Sequence, residues 1–269
     1  MQRSELRAMI ELDDRHWWYR GRRRVLSSVL DRLELPPAAQ ILDAGCGSGR
    51  TLDELQRYGS VTGIDASRRA LAAARARGHS RVFAARVERL PFEDASFDLI
   101  TCLDVIEHTP DDVASLRELR RVARPGARML VTVPAYQWLW SRHDDANLHY
   151  RRYRRGTLRD SAEVAGWSVE RTTYFDSLLL PPAAVVRLAQ RLLPSPRGAR
   201  SDLRLTPRAL DPALALPMYA EAVVLRLGVK LPAGLSLLAE LVNAQPAGLR
   251  AIAWPLSEPA REVARQMFA

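Results

Sequence analysis

Residues 41–50 read ILDAGCGSGR, a short apolar run of strand length followed by glycine at 45, 47 and 49. Glycines at that spacing remove side chains where the backbone must turn sharply, and they let a ligand approach the main chain, as at the first crossover of a doubly wound sheet. Taken alone, such a turn also suits a dinucleotide fold or a plain tight connection. The flanking sequence narrows the choice. Apolar runs at 60–64, 81–85, 97–103 and 128–133 alternate with helical segments. The segment 111–123 is one of these, with Val113, Leu116 and Leu119 on one face and Asp111 and Asp112 in the first turn, where the helix dipole favours negative charge. This rhythm predicts an α/β fold, a Rossmann-like, doubly wound and mostly parallel sheet with helices on both faces.

Outside that rhythm lie a beginning and an end of different character. Residues 1–37 are expected to form an N-terminal helical cap. Its helix runs over 1–34 with Val25, Leu26, Val29, Leu30 and Leu33 on one face and stops at Pro36-Pro37. The core is expected over 38–175, closing with a helix at 157–165 and a strand at 168–174. Residues 176–232 read as a helical insertion, with apolar helices at 177–193 and 212–229 around a flexible linker, PSPRGARSDLRLTPR. Residues 233–269 are expected to add a final strand at 234–242 and a tail from 245 onward.

With 269 residues, 47% of them apolar, the chain can bury a full core. Pro181, Arg187, Glu221 and Arg226 interrupt its most apolar stretches, so no run reaches the ~20 residues of a membrane span. The first residues lack the apolar core of a signal peptide, and a cytoplasmic location is expected. Cys46 and Cys102, the two cysteines, both fall in apolar stretches, so neither a disulfide framework nor a metal centre is expected. The formal charge of +9 comes almost wholly from arginine, since Lys230 is the single lysine. Local clusters of arginine are therefore more informative than their sum.

The second strand, VTGIDAS, carries Asp65 sixteen residues after Gly49. A carboxylate there can accept hydrogen bonds from both hydroxyls of an adenosine ribose; alternatively, Asp65 or Ser67 caps the next helix. Together LDAGCGSG, GIDAS, LPFEDASFDLI, DVIEH and LRELRRVARPGARMLVTVP, in that order, resemble the class I S-adenosylmethionine-dependent methyltransferases, particularly the group that includes the ubiquinone and menaquinone biosynthesis methyltransferases. The resemblance covers about residues 38–175. It implies S-adenosyl-L-methionine as cofactor, with Asp43, Gly45, Gly47 and Gly49 shaping the methionine end of the pocket, Asp65 holding the ribose, and Asp104 near the sulfonium. One position departs from the pattern. Where the family often places an acid for the adenine amino group, this chain has Arg86, which cannot accept a hydrogen bond. Adenine recognition would then fall to Glu88 or to the backbone near Val87. HWWYRGRRR, 16–24, resembles a segment that precedes the core in part of this group. Its Trp17, Trp18 and Tyr19 can roof the cofactor or acceptor, or can form an ordinary helix joint.

Methyl transfer is an in-line displacement, and a hydroxyl acceptor gains from a base that takes its proton. His108 directly follows the fourth strand, at the edge where open parallel sheets bind ligands, and is one candidate. The other is in WSRHDDANLHYRRYRR, 140–155, a loop that follows the fifth strand and can cover the acceptor pocket. There His143 beside Asp144 can be an oriented base, while Tyr150, Arg151, Arg152, Tyr153 and Arg154 can clamp a phosphate or carboxylate. The plainer alternative is a solvated face whose arginines pair with nearby aspartates.

The expected function is methyl transfer to a small or lipid-like, anionic acceptor, on oxygen. An RNA methyltransferase and a non-catalytic protein that binds S-adenosylmethionine are the alternatives. No Asn-Pro-Pro-Tyr type of motif follows the fourth strand and no RNA-binding module is evident, which disfavours nucleic acid as partner. The apolar helices between 177 and 229 suit a greasy substrate, a homodimer interface or peripheral contact with a membrane.

Overall fold

The structure is a computed structural model that describes residues 3–192 and 211–244. Seven strands form one sheet: β1 (Ala39–Ala44), β2 (Gly59–Asp65), β3 (Val82–Ala84), β4 (Phe97–Leu103), β5 (Ala123–Pro134), β6 (Ser168–Phe175) and β7 (Ser236–Val242). Their order is β3-β2-β1-β4-β5-β7-β6. The first five are parallel, and β7 lies antiparallel between β5 and β6. The expected Rossmann-like, mostly parallel sheet is therefore present, with strand order reversing beside β1, where such sheets open a crevice for ligands.

Successive residues of each central strand supply the two faces, as the two-residue period requires. Leu42, Ile100, Val131 and Ala239 pack with α5 (Asp112–Val122) and α7 (Arg155–Val164). Their neighbours Ile41, Leu99, Leu130 and Leu238 pack with α2 (Trp17–Leu30) and α9 (Asp211–Arg226). Helix starts follow local chemistry. Asp111 accepts from Ala114 N at 2.9 Å to begin α5, and Ser67 accepts from Ala70 N at 3.3 Å to begin α4 (Arg68–Ala76). Gly21 lets α2 and α9 cross closely, since a Cβ there would fall on the Met218 side chain.

Three local expectations change. The helix expected over 1–34 is two, α1 (Arg3–Leu12) and α2, because Asp13 turns to Arg23 and Ser48 and His16 caps α2. The fifth strand begins at Ala123 instead of 128. Residues Arg142–Asn147, expected as loop, form a short helix, α6, whose start is closed by Ser141 and Asp144. The remaining helices are α3 (Arg50–Leu55), after the glycine turn, and α8 (Leu180–Leu192), after β6. The expected linker at 194–208 and the tail from 245 lie outside the described residues.

Candidate active site

The glycine turn is pinned to the sheet before any ligand is considered. The N–H groups of Gly45 and Cys46 both donate to Ile64 O at 2.8 Å. Gly45, Gly47 and Gly49 have φ of +88°, +54° and +87°, values that side chains rarely tolerate. A Cβ at Gly45 would also fall on Val105. Asp65, at the end of β2, accepts from Gly47 N at 3.0 Å and from Ser67 N at 2.7 Å. It therefore braces the turn, while Ser67 caps α4.

Asp43, on β1, is buried with one oxygen accepting from Thr101 Oγ1 at 2.7 Å and the other, Oδ2, without a partner. Burial pushes its pKa up to about 6, opposed by the Thr101 hydrogen bond. Just past β4, Asp104 takes a left-handed φ of +56° and pairs with Arg22 of α2 at 2.6 Å. Arg22 also donates to Thr132 Oγ1 at 3.2 Å, which closes α2 over the strand ends. The bare glycine cradle, the orphaned Asp43 oxygen and Asp65 together fit the nucleoside and amino-acid ends of S-adenosylmethionine. Arg86 is exposed and pairs with Glu88 at 2.6 Å; Val87 beside it is buried. Glu88 thus already has a cation as partner.

Beyond Asp104 a short 3-10 turn, Ile106–His108, carries Glu107 and His108. Glu107 is wholly buried and neither carboxylate oxygen has a hydrogen-bond partner. Burial and the nearby Asp104 raise its pKa well above the usual carboxyl range, opposed by Arg22 and Arg152. His108 lies edge-on to His149 at 4.6 Å between ring centroids, with its Nδ1 buried and unpartnered. Burial and the neighbouring His149 lower its pKa to about 3, so it stays neutral near pH 7. One ligand atom from each of Glu107, His108 and His149 falls within 4.8 Å of the others, a set able to share a proton or hold a cation.

The second candidate base is rearranged. Asp144 does not orient His143; its Oδ1 accepts from His149 Nδ1 at 2.9 Å, and Arg152 grips the same carboxylate at 2.7 and 3.0 Å. Side chains at 143 and 144 diverge because adjacent positions on a helix point ~100° apart. Leu148, at φ +57°, then turns the chain back and returns His149 over Asp144. His143 instead faces Asn147, which donates to its carbonyl at 2.8 Å.

The arginines of the stretch do not converge on one point. Arg151 pairs with Asp112 at 2.9 Å, and the buried Tyr153 hydroxyl donates to that carboxylate at 2.8 Å. Arg154 is exposed at the start of α7, and Arg155 donates to Leu231 O at 2.6 Å. Tyr150 is exposed, with its N–H donating to Glu107 O at 2.7 Å.

Sequence reasoning did not single out the acids at the far end of this edge. Asp176, directly after β6, is buried; it accepts from Trp18 Nε1 at 3.1 Å and Ser236 Oγ at 3.3 Å, leaving Oδ1 unpartnered. Next to it, Glu221 of α9 accepts from Ser177 N at 2.7 Å and Leu178 N at 3.1 Å. Trp18 thus reaches the strand edge, whereas Trp17 packs on Ala215 and Met218 in the joint with α9.

Burial, with Glu221 nearby, pushes the Asp176 pKa up to about 7. Because the folded protein then holds this proton more tightly than the unfolded chain, Asp176 lowers stability progressively as pH rises from 3.8 to about 7. Asp176→Asn should abolish that loss. Its stability relative to the native chain should rise across this window by at most roughly 4 kcal/mol, at about 1.36 kcal/mol per pKa unit. Urea unfolding at several pH values tests it; a difference independent of pH would show that Asp176 is ordinary.

Residues 42–131 match a family described as a methyltransferase domain. The chain is 30% identical over 138 residues to a ubiquinone biosynthesis O-methyltransferase of Hahella chejuensis, covering 46% of this chain and 58% of that one. It is 33% identical over 144 residues to the enzyme of the same name from Xanthomonas oryzae, covering 48% and 60%. The chain thus spans less than two thirds of these curated relatives. A chain of the solved complex that contains the Haloferax volcanii Trm112 methyltransferase activator superposes with a TM-score of 0.60 at 20% identity, over 90% of this chain and 95% of that one. Residues 42–131 therefore resemble a methyltransferase domain, and the chain shares its fold with this solved neighbour.

Proposed function

We propose that the protein is an S-adenosylmethionine-dependent methyltransferase that methylates a hydroxyl group of a small or lipid-like acceptor. S-adenosylmethionine, when bound, supplies the electrophilic methyl group. Asp43, the turn from Gly45 to Gly49 and Asp65 hold it, with backbone near Val87 against the base. Asp104 borders its reactive end. The observation that carries the choice of oxygen is Glu107, a buried carboxyl with two unpartnered oxygens beside the neutral His108 and the Asp144-oriented His149. A carboxylate held beside a hydroxyl can take its proton, and burial makes Glu107 a stronger base when it is ionised. An anionic group on the acceptor would meet Arg154 and Tyr150, the exposed members of the 150–154 cluster. The names of the curated relatives, O-methyltransferases, agree with this reading.

Incubation with methyl-labelled cofactor and a metabolite extract, followed by mass spectrometry, should yield a small-molecule methyl ether or ester. Glu107→Gln should lower kcat by about 10²–10⁴, the usual contribution of a positioned base, while leaving cofactor affinity intact. An unchanged kcat removes Glu107 from the reaction. Label recovered in RNA would replace this reading with the nucleic-acid one, and binding without turnover would leave a cofactor-binding protein.

A further inference from the structure

Helices α8 and α9 expose apolar stripes at helical spacing. On α9 and the residue that follows it, Leu216, Ala220, Val223 and Leu227 come at i, i+4, i+7 and i+11, and the three larger side chains are 64%, 60% and 77% exposed. The opposite side of α9, with Ala215, Met218, Ala222 and Leu225, is already buried beneath α2 and the sheet. On α8, Pro181, Val185 and Leu188 form a similar exposed row, and Val185 is 68% exposed. Scattered surface aliphatics are ordinary, but an exposed apolar row at helical spacing on each of two successive helices marks an interaction surface.

Charge selects the partner. Lys230 and Arg226, the latter 3.9 Å from Asp31, are exposed at the end of the α9 stripe. The sequence between the two helices, 193–210, holds arginine at 197, 200, 204 and 208 against one acid, Asp202. Among the described residues neither helix exposes a carboxylate: α8 has none, Asp211 is half-buried and Glu221 is buried. In a symmetric contact with a second copy, this face would set its cations against their own equivalents. Anionic headgroups neutralise the same cations. No described helix is long and apolar enough to cross a membrane, so a helix of this kind would lie in the interface plane.

We propose that α8 and α9 dock this protein on an anionic lipid surface, with their apolar stripes at the boundary of headgroups and acyl chains and the basic residues on lipid phosphates. This inference is separate from the identity of the acceptor. The root of α8 is tied through Ser177 and Leu178 to Glu221, next to Asp176, so the docking face adjoins the candidate active site.

Flotation of the full chain with vesicles of phosphatidylcholine, with and without phosphatidylglycerol, tests the proposal directly. Binding should require phosphatidylglycerol and weaken when salt rises from about 0.1 M, where the Debye length is about 10 Å. The double substitution Val223→Asp/Leu227→Asp should weaken binding by about tenfold or more, because it puts two charges on the inserted face. Val185→Asp, which leaves the α2–α9 packing alone, should act in the same direction. Both variants should keep the native melting temperature and cofactor affinity. The proposal fails if the native chain does not float with phosphatidylglycerol, or if the variants float equally well. It also fails if light scattering shows a dimer that the double variant abolishes, which would make the face a contact between copies.

Discussion

Asp144→Ala should destabilise the protein by about 3–5 kcal/mol, the range for removing one partner of a buried ion pair. The carboxylate is fully buried and serves three partners at once: both prongs of Arg152, the ring of His149 and the N–H of Ser141 at 2.8 Å. Alanine leaves a guanidinium with 8% side-chain exposure and without its ion-pair partner, and removes the group that closes the start of α6. Burial alone would raise the Asp144 pKa, but the His149 and Arg152 hydrogen bonds override it and hold the carboxyl well below 3.8. A depressed folded-state value means that stability is present above the unfolded pKa and is lost as pH falls through the folded one. The difference between native chain and variant should therefore be constant above about pH 5 and shrink in acid. Urea unfolding at neutral pH and at pH 3 checks both features. The double variant Asp144→Leu/Arg152→Met should recover most of the loss, since an apolar pair of similar volume avoids the unpaired charge. A single-variant loss below about 1 kcal/mol would mean that Arg152 finds another partner or water.

The fate of this stretch illustrates which parts of the molecule a sequence can declare. That the glycine turn, Asp43, Asp65 and Asp104 fall at strand ends is legible because the apolar runs mark the strands, while their roles toward a cofactor come from the family resemblance. The sheet follows because alternating faces, such as Ile41 and Leu42 or Leu130 and Val131, must both be covered. The partners of the 140–155 stretch are different in kind. That Asp144 takes His149 instead of His143 depends on one short helix and one residue in the left-handed region at Leu148. Arg22 and Asp104 lie far apart in sequence, and their pairing depends on how α2 crosses the sheet. Asp176 and Glu221 meet only because α9 returns beneath α2, and nothing in either local sequence indicates that each is buried. The exposed stripe of α9 is hidden in the sequence for the opposite reason: a helix apolar on both sides reads as core, and only its packing shows which side has a neighbour.

Asp65→Ala should weaken binding of S-adenosylmethionine by about 30- to 100-fold, the effect of about 2–3 kcal/mol from hydrogen bonds to an ionised acceptor. In the structure the Asp65 carboxylate already accepts from Gly47 N and Ser67 N, at 3.0 and 2.7 Å. Burial raises its pKa, opposed by those two bonds, so an added pair of donor hydroxyls would favour the charged form further. The ribose is common to the cofactor and its demethylated product, and so both ligands should lose affinity by the same factor in calorimetry. That equality separates a ribose contact from a contact to the methyl group or sulfonium. Loss of the brace on Gly47 could also loosen the turn, which would appear as a lower melting temperature without ligand. Asp65→Asn provides the control: it can still accept from Gly47 N, yet lacks the charge that strengthens bonds to both hydroxyls. If this variant keeps the native melting temperature but binds both ligands at least about tenfold more weakly, the carboxylate itself holds the nucleoside. If both variants bind within about twofold of the native chain, the glycine turn holds the cofactor without Asp65, and the ribose assignment is wrong.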